Sequence, residues 1–383
     1  MRDVLVVGGG PVGLLLATLL ADAGIDVAVW ERRRSVAPLS RAIGIHPPSL
    51  DALDRADVAD AVLAEALPIR RGIASSRGRE LGQVGFDRAH GRFPFVAALP
   101  QSRTETLLAA RLQQLAPGAL RRGVALASLQ ASEDHVRATG RAETTDVAHA
   151  PILEERTRFV VGADGARSLV RDLLGIAAPA HDYPDTYVMG DFADTGREPV
   201  AFVHLEPGGV VEAFPLPGGM RRYVAHTPHP AEPTAAWLAD LVAARTGVEL
   251  DASSATMLSA FGVRRRFASR MVAGRVVLVG DAAHEISPIG GQGMNLGWLD
   301  AAALAPILVA SVHGGTPDVA ALRAFETRRT ASARRAARQA ELNMALGRPV
   351  RGARLAARNG ALRVALRGPA SRLLASVYAM RWS

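Results

Sequence analysis

The chain has 383 residues, 49% hydrophobic and 21% charged, which is enough apolar sequence for packed cores and excludes disorder as the main state. It contains no Cys, so disulfides, thiolate nucleophiles and Cys-bound zinc or iron–sulfur centres are excluded. All 45 basic residues are Arg; thirteen of them lie between Arg328 and Ser383 beside a single acid, Glu341, so a tail of charge +12 follows a body of charge −4. No apolar run reaches the roughly 18 residues of a membrane span, and no signal peptide precedes the first predicted strand, which points to a cytoplasmic protein without stable membrane insertion. The tail reads as Ala/Leu-rich helices with Arg heads in solvent; it predicts no nucleic-acid partner, and a lipid surface is the better of its functional readings.

Asp3 to Val7 is a short apolar run ending in glycines and predicts a buried parallel strand. A helix over Pro11 to Ala23 follows, stopped by Gly24, and then a strand over Ile25 to Trp30, which together make a βαβ opening. The pattern next predicts a helix near Ser49 to Glu65, short strands from Ile69 to Val96, a helix over Thr104 to Leu115, and strands near Val124 to Leu129 and His135 to Thr139. Thr157 to Val161 reads as another buried strand, and residues 183 to 230 as strands separated by Pro-Gly turns. A short helix fits Thr234 to Ala244; Arg275 to Val279 is a further apolar strand, and from Val319 the chain reads as helical, broken near Gly347 to Pro349 and near Gly368-Pro369. The expected fold is α/β: a discontinuous Rossmann-like domain (1–70, 98–178 and 262–318), an inserted mixed-sheet substrate domain (71–97 and 179–261) and C-terminal helices (319–383).

Three motifs carry chemistry. Gly8-Gly9-Gly10-Pro11-Val12-Gly13 is a GxGxxG between strand and helix, where glycines permit a tight turn, approach of a pyrophosphate and close packing. Glu31 follows Gly13 by 18 residues, at the end of the second strand, where a carboxylate can accept from ribose hydroxyls. Gly162-Ala163-Asp164-Gly165 closes a strand and by itself is an Asp-Gly turn. Gly280-Asp281-Ala282-Ala283-His284, with Pro288 and Gly290-Gly291-Gln292-Gly293-Met294-Asn295, joins a strand to a helix whose N-terminus can face a polar ring edge.

In this order and spacing the three motifs resemble the group A flavoprotein monooxygenases, the family of p-hydroxybenzoate hydroxylase and the aromatic polyketide hydroxylases, over residues 1 to about 330. The resemblance implies FAD as cofactor, with Gly8, Gly10, Val12 and Gly13 around its pyrophosphate, Glu31 on the adenosine ribose and Arg32 beside it. It implies that Arg41 approaches the cofactor, that Gln101 and Asp281 hold the ribityl chain, and that Val124 meets the adenine. Asp164 falls in the segment linked with both FAD and nicotinamide cofactor, Pro288 by the reactive edge of the flavin, and Gly290, Gly293, Met294 and Asn295 in the loop and helix start that face the ring. The implied reaction uses NADPH or NADH as a transient hydride donor and inserts one oxygen atom of O2, through a flavin C4a-hydroperoxide, into an aromatic or polycyclic substrate of the antibiotic-biosynthesis kind. The Arg-rich, Lys-free composition agrees with that setting.

The resemblance also implies a substrate pocket, for which His46, Tyr187, Met189, His204, Phe214, Arg222, Tyr223 and Pro288 are candidates, although alternation turns about half of the strand residues away. His46, His204 and His226 are of a type that can deprotonate a phenol, but none is assigned as a catalytic base, and no metal ligand set is present at suitable spacing. The alternatives are a dehydrogenase or reductase on the same fold, and a non-catalytic FAD-binding protein. The chain is expected to be a monomer or a homodimer.

Overall fold

The computed structural model describes residues 1–37, 42–86, 91–143, 151–194, 198–367, 378 and 380. Among these, three sheets form. The first has eight strands; its parallel centre runs Val276–Leu278, Ile152–Gly162, Arg2–Val7, Val27–Glu31, Leu120–Arg122. Its members come from the start, middle and later part of the chain, so this layer is assembled from distant segments. Val4, Leu5 and Val6 are fully buried, and the helix Pro11–Asp22 covers them with Leu14, Leu15, Leu16 and Leu20. The left-handed Gly24 (φ +77°) turns the chain from this helix toward the next strand.

The helix Gly293–His313 packs against Pro11–Asp22 from the other end of the sequence. The contact requires glycine: a Cβ on Gly297 would lie 2.4 Å from Val12 Cγ2. This helix corrects one expectation. It is long and apolar enough to cross a membrane, but Leu296, Trp298, Ala301, Leu304 and Leu308 are fully buried in the core, so its apolar surface is already covered by protein.

The second sheet is mainly antiparallel, ordered His284–Glu285, Met257–Phe267, Ala180–Ala193, Met220–Thr227, Gly209–Leu216, Ala201–Glu206, Arg71–Ser76, Arg79–Gly85. One face packs under the helix Ala235–Thr246, with Val211, Ala213, Tyr223 and Ala225 in that cluster. A three-stranded sheet of Gly44–Ile45, Val96–Ala98 and Leu67–Ile69 bridges the layers. The helix expected over 49–65 is two, Pro47–Arg55 and Ala59–Glu65, separated where Asp57 takes φ +56°.

The C-terminal helices are Val319–Gly347 and Gly352–Ala365. On the first, Leu322, Phe325, Ala333, Ala336, Ala340 and Met344 face the body, while Arg328, Arg334, Arg335 and Arg338 are exposed. Arg348, in the break between the two, holds the buried Asp185 through Nε at 2.9 Å and Nη2 at 2.7 Å. The break expected near Gly368-Pro369 lies outside the described residues.

Candidate functional site

A single cavity of about 1060 Å³ runs from the first glycine loop to the face of the second sheet that Ala235–Thr246 leaves free. At one end, Gly8 (φ +108°) crosses the Asp-Gly turn so closely that a Cβ would lie 2.3 Å from the Ala163 carbonyl oxygen. Gly13 sits behind the loop, where a Cβ would lie 1.9 Å from Gly8 O. Gly10 is different: a Cβ there would meet no protein atom within 4 Å and would project into open space beside the helix N-terminus. The loop therefore leaves room at the point where first-turn N–H groups and the positive end of the helix are offered to an anion.

Glu31 is buried and fixed. Its Oε2 accepts from Gly9 N at 2.7 Å, and its Oε1 accepts from Arg33 N at 2.8 Å and Arg33 Nε at 2.9 Å. Burial works against its charge, but these donors and the Arg33 guanidinium carry its pKa below the usual carboxylate range. Arg33, not the neighbouring Arg32, is thus the cation that sets Glu31, and it also approaches Glu105 at 3.7 Å. Gln101 donates to Glu105 Oε1 at 2.7 Å and lines the cavity beside them.

The other two motifs meet at the middle of the cavity. Asp164 Oδ2 accepts from Val170 N at 3.1 Å, while Oδ1 is buried without a partner, and burial raises this carboxyl's pKa. Arg171, buried, donates to Ala282 O and Ala166 O, each at 3.2 Å, and so ties the Asp-Gly turn to the Gly-Asp turn. Asp281 is exposed into the cavity; the protein packed around it and the nearby Glu285 and Asp300 outweigh His284 and push it up to about 6. Behind it, Asp300 is fully buried and accepts from Gly280 N at 2.9 Å and Arg329 Nε at 2.7 Å, with His284 Nε2 at 2.7 Å. Burial opposes the Asp300 charge, yet the two cations hold it down to about 2.

The glycine loop at 290–293 is held by Asn295. Its Oδ1 accepts from His46 N at 2.9 Å, and its Nδ2 donates to Gly44 O at 2.9 Å and Gly291 O at 2.8 Å. This clamp fixes the start of the helix Gly293–His313, whose first N–H groups are offered next to Pro288 and Gly290. His46 faces the cavity, with its pKa lowered to about 4 by burial, and is neutral at ordinary pH.

Gly8, Gly10, Val12, Glu31, Arg32, Gln101, Val124, Asp164, Asp281, Pro288, Gly290, Gly293 and Met294 all border this cavity, as do His46, Met189, Phe214 and Arg222. The Asn295 side chain acts as the clamp, and Arg41 lies outside the described residues. Two substrate-pocket candidates face away. Tyr223 points into the cluster under Ala235–Thr246, and His204 meets Ser75 Oγ at 2.8 Å and stacks on Phe202, because each is one residue out of phase with the cavity-facing strand positions. Tyr187 shares the cavity-side face but is covered, stacked on Phe261 at 5.7 Å and packed with Ile289 and Met344. Arg222 reaches the cavity already paired with Asp191, at 2.6 and 2.7 Å.

Four features escaped the sequence reading: Arg33, Asp300 with Arg329, Gly297, and Glu212. The last was signalled by a lone acid within the apolar strand Gly209–Leu216. It borders the cavity, and burial raises its pKa to about 7.

A glycine loop at a helix N-terminus, an acid on the second strand and an elongated cavity ending on a second sheet define a dinucleotide-binding α/β protein of the flavoprotein class. The chain belongs to the FAD binding domain family, which matches residues 1–340. It is 37% identical over 328 residues, 82% of this chain and 56% of the relative, to 6-methylpretetramide 4-monooxygenase of Streptomyces rimosus. It is 36% identical over 332 residues, 83% of this chain and 66% of the relative, to rifampicin monooxygenase of Streptomyces venezuelae. The chain thus spans less than two thirds of the length of these curated relatives. Among solved structures, anhydrotetracycline hydroxylase from Streptomyces rimosus matches with TM-score 0.79 and 30% identity, covering 99% of this chain and 76% of that one. p-Nitrophenol 4-monooxygenase from Pseudomonas putida shares the fold with TM-score 0.89 over 99% of this chain and 98% of that one, at 24% identity.

Proposed function

We propose that this chain binds FAD along the cavity and, with NADPH or NADH as hydride donor, inserts one atom of O2 into an aromatic or polycyclic substrate. The observation that carries the reading is the continuity of the cavity, from the Gly8–Gly13 loop and Glu31, past Pro288 and Gly290, to the apolar face of the second sheet. Such a space admits an extended cofactor and a flat substrate end to end. Bound FAD supplies the redox chemistry, accepting hydride and activating O2.

The protein's own part is to bind, orient and keep dry. First-turn N–H groups at Val12 and Gly13 meet the pyrophosphate charge, and Glu31, pre-set by Gly9 and Arg33, accepts from a ribose. Asp281 accepts from the polyol chain. The N–H groups at Met294 and Asn295, with the helix dipole behind them, stabilise negative charge on the polar edge of the ring system. Asn295 keeps those donors in place through its bonds to Gly44 O and Gly291 O. Met189, Ile289 and Leu366 border the substrate end and limit water there. The aromatic nature of the substrate is supported by this apolar wall and by the named activities of the two Streptomyces relatives.

The test is anaerobic mixing of FAD-loaded protein with NADPH or NADH, with and without a panel of neutral phenols, followed by labelled O2. Bleaching of the flavin absorbance and one labelled oxygen atom in the product are expected. Flavin that neither donor reduces, or reduced flavin that reoxidises across the panel with no labelled product, would refute oxygen insertion.

A further inference from the structure

One wall of the cavity is a cross-strand row on the second sheet. Hydrogen-bond register places Gly82 opposite Ala74, Ala74 beside Val203, Val203 opposite Glu212, Glu212 opposite Val224, and Val224 opposite Met189. Residues opposed in register share a face, and all six border the cavity. Along its own strand Glu212 is flanked on that face by Val210 and Phe214. It is the one ionisable group in the row.

The arginines and the histidine nearest to it on the neighbouring elements are engaged elsewhere. Arg222 is held by Asp191, and His226 by Asp185 at 3.3 Å, which Arg348 also grips. Arg245 donates to His226 O at 2.8 Å. The Tyr378 hydroxyl donates to Asn343 Oδ1 at 3.0 Å and the Tyr187 hydroxyl is buried without a hydrogen-bond partner; both are pushed up by burial and stay neutral. Burial alone sets the state of Glu212, with no cation or hydrogen-bond donor offsetting it. A carboxyl facing an apolar wall without a partner costs stability, and the packing of the sheet does not use it.

Resting on the aromatic-oxygenation reading above, we propose that Glu212 is the specificity-determining residue of the cavity: its carboxylate accepts the hydrogen bond of a phenolic or enolic hydroxyl on a neutral polycyclic substrate and disfavours carboxylated aromatics. An ionised carboxylate only accepts, so a bare ether gains nothing from it, and a second carboxylate beside it is repelled. The apolar neighbours Val203, Val224 and Met189 take the ring face, and Glu212 fixes which edge of the ring turns toward the sheet.

The experiment is equilibrium dialysis of the FAD-loaded protein and its Glu212→Gln variant against β-naphthol, its methyl ether, β-naphthoate and β-naphthylmethylamine. Wild type is expected to prefer the naphthol over the ether by roughly tenfold or more, the range of a charge-assisted hydrogen bond. That preference is expected to grow between about pH 6 and about pH 8 as Glu212 ionises. Glu212→Gln is expected to lose most of the preference and its pH dependence, and to bind β-naphthoate more tightly than wild type does. Flavin absorbance reports that the variant is folded and loaded, and the wild-type pH profile tests the proposal without any variant. Equal affinities for naphthol and ether, no saturable naphthol binding, or tighter binding of the amine than of the naphthol would overturn it. Because the readout is binding, retained phenol selectivity with no oxygenated product would count against the oxygenase reading alone.

Discussion

Arg329→Met tests whether the buried network behind Asp281 holds the two halves of the site together. Arg329 donates to Asp300 Oδ1 at 2.7 Å and to Leu296 O at 3.3 Å, and Asp300 is fully buried. Methionine keeps much of the volume and removes the charge, so a buried carboxylate loses one of its two cations. Breaking a buried pair in this way costs about 3–5 kcal/mol. At roughly 1.2 °C per kcal/mol for a chain of this size, the melting temperature should fall by roughly 4–6 °C. Arg92→Met is the control: Arg92 pairs with Asp54 at the surface with 54% of its side chain exposed, and such pairs contribute at most about 1 kcal/mol. The deficit should also depend on pH. The His284 pKa is raised, because Asp300 outweighs the effect of burial, so its contribution is present below about 6.5 and lost as pH rises through the raised value. Above that point Asp300 in Arg329→Met has no cation left, and the gap from wild type widens. In a double-mutant cycle with Asp300→Asn, the double variant should lose less than the sum of the singles. Thermal melts that place Arg329→Met with Arg92→Met, or a gap that narrows toward alkaline pH, would refute the network.

Three further outcomes follow from the same geometry. Glu212 has its pKa raised to about 7, so it is protonated more readily in the folded than in the unfolded chain; stability linked to it is present below about pH 4.3 and lost as pH rises through about 7. Glu212→Gln should therefore melt higher than wild type at alkaline pH and equal to it in acid, as measured by scanning calorimetry. Gly8→Ala should reduce FAD affinity by at least roughly tenfold in a fluorescence titration, since a Cβ 2.3 Å from Ala163 O forces the two loops apart. Arg33→Ala should lower the melting temperature and shift Glu31 titration upward more than Arg32→Ala does, because it is the Arg33 guanidinium that hydrogen-bonds the Glu31 carboxylate.

The parallel layer was legible because its cues are local. Val4 to Val7, Phe159 to Val161 and Val276 to Leu278 are continuous apolar runs, and strands buried on both faces require that pattern. The break at Asp57 was not legible, since nothing in the periodicity of 49–65 marks a non-glycine residue taking φ +56°. The apolar helix Gly293–His313 was missed as a membrane-length segment because Asn295 and Asp300 interrupt its apolar run, and core is where it lies.

The site divides along the same line. Residues that meet the cofactor space through backbone or a turn (Gly8, Gly10, Asp164, Asp281, Gly293) sit in short motifs whose spacing carries their geometry, and they border one cavity. Residues that act across the fold have no such spacing: Asp300 and Arg329 lie 29 apart, and Gly297 meets Val12 from the far end of the chain. The substrate wall is the intermediate case. Alternation identified which strands could face inward but not their phase, and phase separates Arg222 and Val224, which border the cavity, from Tyr223 between them. Once the register is known, Glu212 stands in the cavity-facing phase with Val210 and Phe214, the one acid that this strand turns toward an aromatic-sized wall.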